Sequence, residues 1–497
     1  MSDPFAFDHS RRSFLKSSAA IPSALVGAVT LELLSSHAVW AQDARGAAHA
    51  RSSAQSGGYR ALRVLSDASG RRILALPEGF DLVTFGVLGE NLAGTKGTHA
   101  RNADGMGAFA GPGGTVRLIR NHELRNAPDD FIHGVIGDER TRYDPKAMGG
   151  TTTLDYDPVL RRVVREFFSL NGTIVNCSGG LAYRDAGWLT CEESVGGARE
   201  GWGRKHGYTF LVPASIERAE PARPIVGMGR FSKEAAVADA ATGIVYQTED
   251  AGSTSGFYRY LPKDPVNLMA GGALQMLRVA RRNQFDARER QVVGAEHRVE
   301  WVTIRDPDPD LESGAPSCFA QGHAQGAAFF HRLEGLFRAE NGAMLFVSTT
   351  GGDVKSGEPD RSGFRTGYGQ LWQYLPLGDS RGVLTLIYQS TSGALLDSPD
   401  NLCVTPRGGI LFCEDDATAD RDVHALAPEL PEANRLVGLA RGGQPFTFAV
   451  NLLNNSEFAG ACFSPDGATL FVNVFGDDTH ASGMTCAISG PWRDGAL

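Results

Sequence analysis

The chain has 497 residues, 48 of them Lys or Arg and 57 Asp or Glu, for a formal charge of -9, and an acidic body of this kind argues against a general binder of nucleic acid or of anionic membranes. Seven cysteines, an odd number without closely spaced pairs of the zinc or thioredoxin type, do not read as a disulfide framework. Glycine is abundant at 61 residues, and short apolar runs bounded by Gly, Pro, Asp and Asn indicate many short strands rather than long helices.

At the N-terminus, Ser10-Arg11-Arg12-Ser13 followed by Phe14-Leu15-Lys16 carries the features of a twin-arginine export signal. The apolar stretch from Ala19 to Leu34 is interrupted by Pro22 and Glu32, too short and too polar for a permanent membrane span. Cleavage is expected after Ala41, so that residues 1–41 form the signal and 42–58 a flexible polar leader. The twin-arginine translocase is then a partner during export, and the mature protein is periplasmic or secreted.

Residues 59–497 contain no Pro/Ser linker or charged run, and are expected to form a single all-β domain, since closed β folds reach this size. Five segments begin with glycine, continue as an apolar strand and mostly end in acids. They start at Gly187, Gly243, Gly342, Gly409 and Gly467, separated by 56, 99, 67 and 58 residues. Three are followed by an aromatic strand ending in Pro213, Pro262 or Pro376. This repeat predicts a β-propeller with loop and short helical insertions. Ahead of the first strand of each unit stands a polar, mostly ligating residue. Cys177, Glu234, Glu334, Asn401 and Glu457 lie 10, 9, 8, 8 and 10 residues before their glycines, and in a propeller these would converge on one ring at the central channel. A unit ending in Asn121-His122-Glu123 offers a sixth contribution.

Clustered carboxylates without compensating lysines need protons or cations, because like charges at close range cannot all ionise. Oxygen ligands suit calcium, and a thiolate beside them suits a transition metal such as iron. The available oxygen donors are Glu123, Glu192, Glu193, Glu249, Asp250, Glu414, Asp415, Asp416 and Glu457. Arg332 precedes Glu334 by two residues, so on an extended strand both side chains share a face, and a guanidinium forks onto two phosphate oxygens. Cys403, Cys413 and Cys462 sit in apolar runs and read as buried thiols.

Asn121-His122-Glu123, Gly149 to Thr153, Asn176-Cys177-Ser178, Trp188 to Glu193, Gly229-Arg230-Phe231 with Glu234, Thr248-Glu249-Asp250, Arg332 to Gly335, Pro399-Asp400-Asn401 and Phe458 to Gly467 resemble, in this order, the PhoX family of bacterial alkaline phosphatases. The resemblance runs from about residue 75 to Trp492. It implies a propeller of six blades whose channel holds ferric iron, Fe(3+), and calcium, Ca(2+), and a phosphomonoester hydrolase acting, as a monomer, on small phosphorylated substrates. It further implies Cys177 as the thiolate on iron, Glu192 as a metal carboxylate, Glu234 or Glu249 as a further ligand, Glu334 on the cluster and Arg332 as the phosphate clamp. Glu123, Glu193, Asp250 and Glu457 carry over chiefly to calcium. The chain departs from the family pattern at Leu181 to Ala186 and at Lys233, which stands where a histidine is usual; Lys233 is expected to contact phosphate or pair with an acid. The mechanism expected is in-line attack on phosphorus by a metal-bound oxygen nucleophile. A calcium-dependent lactonase, which would need neither Cys177 nor Arg332, and a non-catalytic calcium-stabilised propeller that binds a partner across its face are the rival readings.

Overall fold

The computed structural model describes residues 57–355, 357, 359–360, 363–415, 424–430, 433–476 and 482–497. The export signal, its cleavage point and Asp416 lie outside them. Among the described residues no helix is long and apolar enough to cross a membrane, and the one α-helix is the short Cys318–His323.

The glycine-led segments are the second strands of antiparallel sheets, Gly187–Glu192, Val245–Glu249, Met344–Ser348, Ile410–Glu414 and Thr469–Gly476. Gly243 and Gly342 make the tight turns before two of them at φ of 72° and 80°, where a side chain would be strained. Each second strand pairs with an inner strand before it. Six inner strands result: Ala103–Ala110, Asn176–Leu181, Lys233–Ala238, Leu333–Arg338, Pro399–Val404 and Phe458–Phe463. They pack against one another in cyclic order, the last against the first, so the sheets stand as the blades of a β-propeller around a central channel. The strand Asp81–Phe85, from near the start of the described chain, pairs with Ser482–Ser489 and forms the outer strand of the last sheet, which ties the two ends of the described chain together.

The sheets are held face to face by their aromatic strands. Phe257 and Phe346, on neighbouring blades joined into one nine-stranded sheet through the pairing of Glu296–Thr303 with Gly382–Gln389, stack at 4.4 Å between ring centroids, surrounded by fully buried Tyr246, Trp372 and Tyr374. Each such ring contributes about 1.5–3 kcal/mol by leaving water. This packing fixes the distance between neighbouring inner strands, and with it the width of the channel.

Candidate active site

Every inner strand carries the same defect near its start. Pairing with the second strand slips at Ala103/Met106, Asn176/Gly179, Lys233/Ala236, Leu333/Leu336, Pro399/Leu402 and Ala459/Cys462. Two residues therefore oppose one, a β-bulge that re-aims side chains. The first bulged residue is Asp104, Cys177, Glu234, Glu334, Asp400 or Gly460, so five ligating side chains and one glycine occupy equivalent positions around the channel. The second is small in five of the six. A Cβ on Gly105 would lie 2.6 Å from Ser178 Cα, and one on Gly335 2.7 Å from Asp400 O. Neighbouring backbones thus approach too closely for anything larger.

The carbonyls freed by the bulge are caught by the neighbouring sheet. Asn121 Nδ2 donates to Cys177 O at 2.8 Å, Thr248 Oγ1 to Glu334 O at 2.8 Å and Asn473 Nδ2 to Asp104 O at 2.5 Å. The chain enters four of the bulged strands through a left-handed residue: Asn102, Val175, Arg332 and Ser398 have φ between 44° and 52°. For β-branched Val175 this is a strained backbone of the kind found at functional sites.

The acid pairs that end the second strands divide their work by alternation. The first member points into its own sheet as a brace. Glu192 Oε1 accepts from Ile174 N–H, three residues ahead of Cys177. Its other oxygen accepts from Gly207 and Tyr208 N–H, and His206 Nδ1 lies 2.6 Å from Oε1 while Nε2 reaches Asp144. Glu414 likewise accepts from Asp397 N–H and from Arg435, and His122 donates to Arg101 O. The second member faces the channel: Glu123, Glu193, Asp250 and Asp415 follow the braces in sequence, and each donates its N–H to the residue two before the bulge.

Ligating atoms within 4.8 Å of one another form four overlapping groups: Asp104, Glu123 and Cys177; Cys177, Glu193 and Glu234; Glu234, Glu334 and Asp400; Asp400, Asp415 and Glu457. They run without a break around one end of the channel and open into a polar cavity of ≈ 330 Å³. Burial pushes Glu234 well above the usual carboxylate range, and Glu334, Asp400 and Glu193 add to the effect. Burial raises Asp104, Glu193, Glu334 and Glu457 in the same direction, takes Asp400 to about 7 and holds the Cys177 thiol protonated. Both Glu234 oxygens are buried without a hydrogen-bond partner, a position no carboxylate occupies stably by itself. The donor set of hard oxygens with one sulfur fits a group of cations, and cations shared between the overlapping groups would satisfy what the protein leaves unsatisfied.

Two arginines reach this ring. Arg332 Nη2 donates to Glu334 Oε1 at 2.8 Å and to Asp250 Oδ2 at 3.4 Å. Arg125 Nη2 lies 2.7 Å from Glu193 Oε2 and 2.5 Å from Glu123 Oε1. Beyond the ring the channel is apolar, a second cavity lined by residues such as Gly107, Leu336, Cys403 and Cys462.

Of the residues singled out from sequence, Cys177, Glu123, Glu193, Glu234, Glu334 and Glu457 come together in the ring, with Arg332 and Asp250 at its edge. Glu192 and Glu249 do not join them. Glu192 is spent on the brace, and Glu249 accepts from Tyr258 OH and Gly256 N–H; of the pair Glu234 and Glu249, it is Glu234 that reaches the cluster. Asn401 gives way to its neighbour Asp400, because Asn401 donates to Asp400 Oδ1 and accepts from Gly460 N–H. Asp104 was not anticipated; its signal was a ligating residue followed by a small one, repeated at Asp104-Gly105, Cys177-Ser178, Glu234-Ala235 and Glu334-Gly335. Arg332 meets Glu334 through its left-handed turn and not along a strand, since the strand begins at Leu333. Lys233 neither faces phosphate nor pairs with an acid: it is fully buried over the Phe231 ring at 3.4 Å and donates to Met228 O and Gln247 Oε1. The departure at Leu181 to Ala186 lies past the other end of the Asn176–Leu181 strand from Cys177. Cys191 packs inside its sheet against Thr209 Oγ1, and all seven cysteines are free.

The division between brace and channel residue has a measurable sign. Burial alone would lower the His206 imidazole, but Glu192 and Asp144 raise it to about 9, so the three form a buried charged unit. Glu192→Ala is expected to cost about 3–5 kcal/mol of stability in chelator-treated protein, as breaking a buried pair does, read by urea unfolding. A residue serving only as a cation ligand would instead leave the cation-free protein as stable or more so.

A β-propeller with a cation-fitting ring of acids and one thiol, and with arginines at its mouth, is fitted to hold cations and an anion together, and the family match makes it a metal-dependent phosphoesterase. The chain belongs to the PhoX family: the family described as alkaline phosphatase PhoX matches residues 58–477. Among solved structures it is similar to Pseudomonas fluorescens PhoX in complex with vanadate, a transition state analogue, at 16% identity and a TM-score of 0.62 over 89% of this chain and 99% of that one. A luciferin-regenerating enzyme (10% identity, TM-score 0.40, 83% and 96% covered) and the periplasmic gluconolactonase PpgL of Pseudomonas aeruginosa (10%, 0.35, 75% and 96%) follow at scores that carry no argument. Comparison with curated proteins gives no match.

Proposed function

We propose that the protein is an exported phosphomonoesterase whose channel ring holds ferric iron at Cys177 and calcium among the carboxylates. The observation that carries this reading is Glu234, fully buried with both oxygens unpartnered where two of the cation-fitting groups overlap. Cys177, Glu193 and Glu234 would hold the metal that prefers sulfur; Asp104, Glu123, Glu334, Asp400, Asp415 and Glu457 would hold the harder cations. Bound cations supply Lewis-acid activation of the attacking oxygen and offset charge on the transferring phosphoryl group. Arg332, fixed from two sides by Glu334 and Asp250, offers its remaining donors to the phosphoryl oxygens as charge develops there. The apolar channel beyond the ring keeps water from one side of the site and strengthens these interactions. Family membership and a relative captured with vanadate support phosphoryl chemistry over lactone hydrolysis, which has no use for Arg332 or Cys177. A monomer in the periplasm or outside the cell is the state this reading expects.

Hydrolysis of p-nitrophenyl phosphate, bis-p-nitrophenyl phosphate and a lactone, each with and without chelator, tests the proposal. It expects the monoester to be preferred and its hydrolysis to be lost on chelation. A lactone preference, or chelator-resistant turnover, would overturn it.

The same cluster sets a pH dependence. In cation-free protein the raised carboxyls are protonated in the fold at pH values where they are ionised in the unfolded chain, so the fold binds more protons. Stability therefore falls as pH rises from about 4, the ordinary carboxyl value, through 7, the midpoint of Asp400. Chelator-treated protein is expected to have a lower Tm at pH 8 than at pH 5, and added Ca2+ to remove the difference. A Tm that rises with pH in the absence of cations would contradict this.

A further inference from the structure

Arg125 has no role in the reading above, yet it occupies the same cavity as Arg332. The two stand in matching positions. Arg332 spans carboxylates of two neighbouring sheets, Glu334 and Asp250, and Arg125 spans carboxylates of another two, Glu123 and Glu193. Their exposure differs: the Arg125 side chain is 63% exposed while its carboxylate partners are 6% and 10% exposed. It thus enters from the mouth onto buried acids. The base of the arm is fixed, because Leu124 is buried and its carbonyl accepts from Val175 N–H at 3.2 Å, in the turn leading to Cys177. The head is the exposed part of the arm.

Both partners of Arg125 are also members of the ring. Glu123 shares a group with Asp104 and Cys177, and Glu193 shares one with Cys177 and Glu234. A guanidinium cannot give up its charge, so it and a cation compete for these oxygens. We propose that Arg125 is a second anion-binding arm: it holds Glu123 and Glu193 in the cation-free protein and, once cations claim those carboxylates, presents its donors to the substrate phosphate opposite Arg332. This inference rests on the phosphatase reading. It makes the substrate anion held from two sides, which favours a compact terminal phosphate dianion over a phosphodiester with one charge.

The test is Arg125→Ala with Arg125→Lys beside it. Calorimetric titration of chelator-treated protein with Ca2+ is expected to show affinity raised about tenfold in the alanine variant, the worth of one lost charge-assisted contact. Binding of inorganic phosphate to the metal-loaded variant is expected to weaken by about tenfold, and KM for p-nitrophenyl phosphate to rise with little change in kcat. Lysine should recover part of the phosphate affinity. Unchanged or weakened Ca2+ binding, or unchanged phosphate binding, overturns the proposal. The two readings fail differently: a wild-type protein that binds no phosphate sinks the phosphatase reading and this one with it, whereas an error confined to Arg125 shows only in the variants.

Discussion

Arg332→Ala is expected to lower turnover of p-nitrophenyl phosphate by about two to three orders of magnitude, the worth of roughly 3–4 kcal/mol from one well-placed donor in a water-poor site. The side chain is held before substrate arrives. Glu334 and Asp250 fix its head, and a guanidinium keeps its charge at any working pH. Preorganisation of this kind acts on the transition state, so the loss should appear in kcat and not only in KM. Arg332→Lys should recover little, since a single ammonium cannot fork between two oxygens while retaining both carboxylate contacts. Wild-type turnover in the alanine variant would remove Arg332 from the site.

The second large effect concerns Glu234. Most substitutions of a fully buried residue destabilise, but Glu234→Gln is expected to raise the Tm of chelator-treated protein near neutral pH by about 2–4 °C, because it removes a buried carboxyl that must take up a proton on folding, at a cost of about 1 kcal/mol or more. The same change should reduce cation affinity by more than the about 10–100-fold typical of residues that only support a ligand. Phosphatase activity should fall with it. Calorimetric Ca2+ titration and thermal unfolding on the same samples check both signs. A variant that is less stable without cations and binds them normally would show that Glu234 is a structural residue.

The fold was legible because its repeat is written in glycine: Gly243 and Gly342 stand where only a positive φ turns the hairpin, so a sequence repeat and a backbone requirement coincide. The ring was legible in outline, through the ligating residues ahead of each glycine. What the sequence obscured was the bulge. It adds a residue to each inner strand, and one residue is enough to send Asp400 rather than Asn401 into the channel. Ordinary alternation at the ends of the second strands, which the run of acids does not display, makes the adjacent acids in Glu192-Glu193 and Glu249-Asp250 face opposite ways, the first bracing its sheet and the second facing the channel. Lys233, as the neighbour of Glu234, points away from the channel, and burial lowers it to about 7 over the Phe231 ring. Asp104 could have been found from the ligating-then-small dipeptide, whose physical cause is the close approach of neighbouring inner strands.

If the ring is a cation centre for phosphoryl chemistry, metal and activity must travel together. Elemental analysis of protein purified through its native export route without reductant or chelator, with phosphatase activity measured on the same sample, tests that directly. Iron and calcium are expected to copurify, with visible absorption from the thiolate on ferric iron and with activity that follows metal content. A colourless preparation free of both metals that hydrolyses phosphomonoesters at full rate would contradict it.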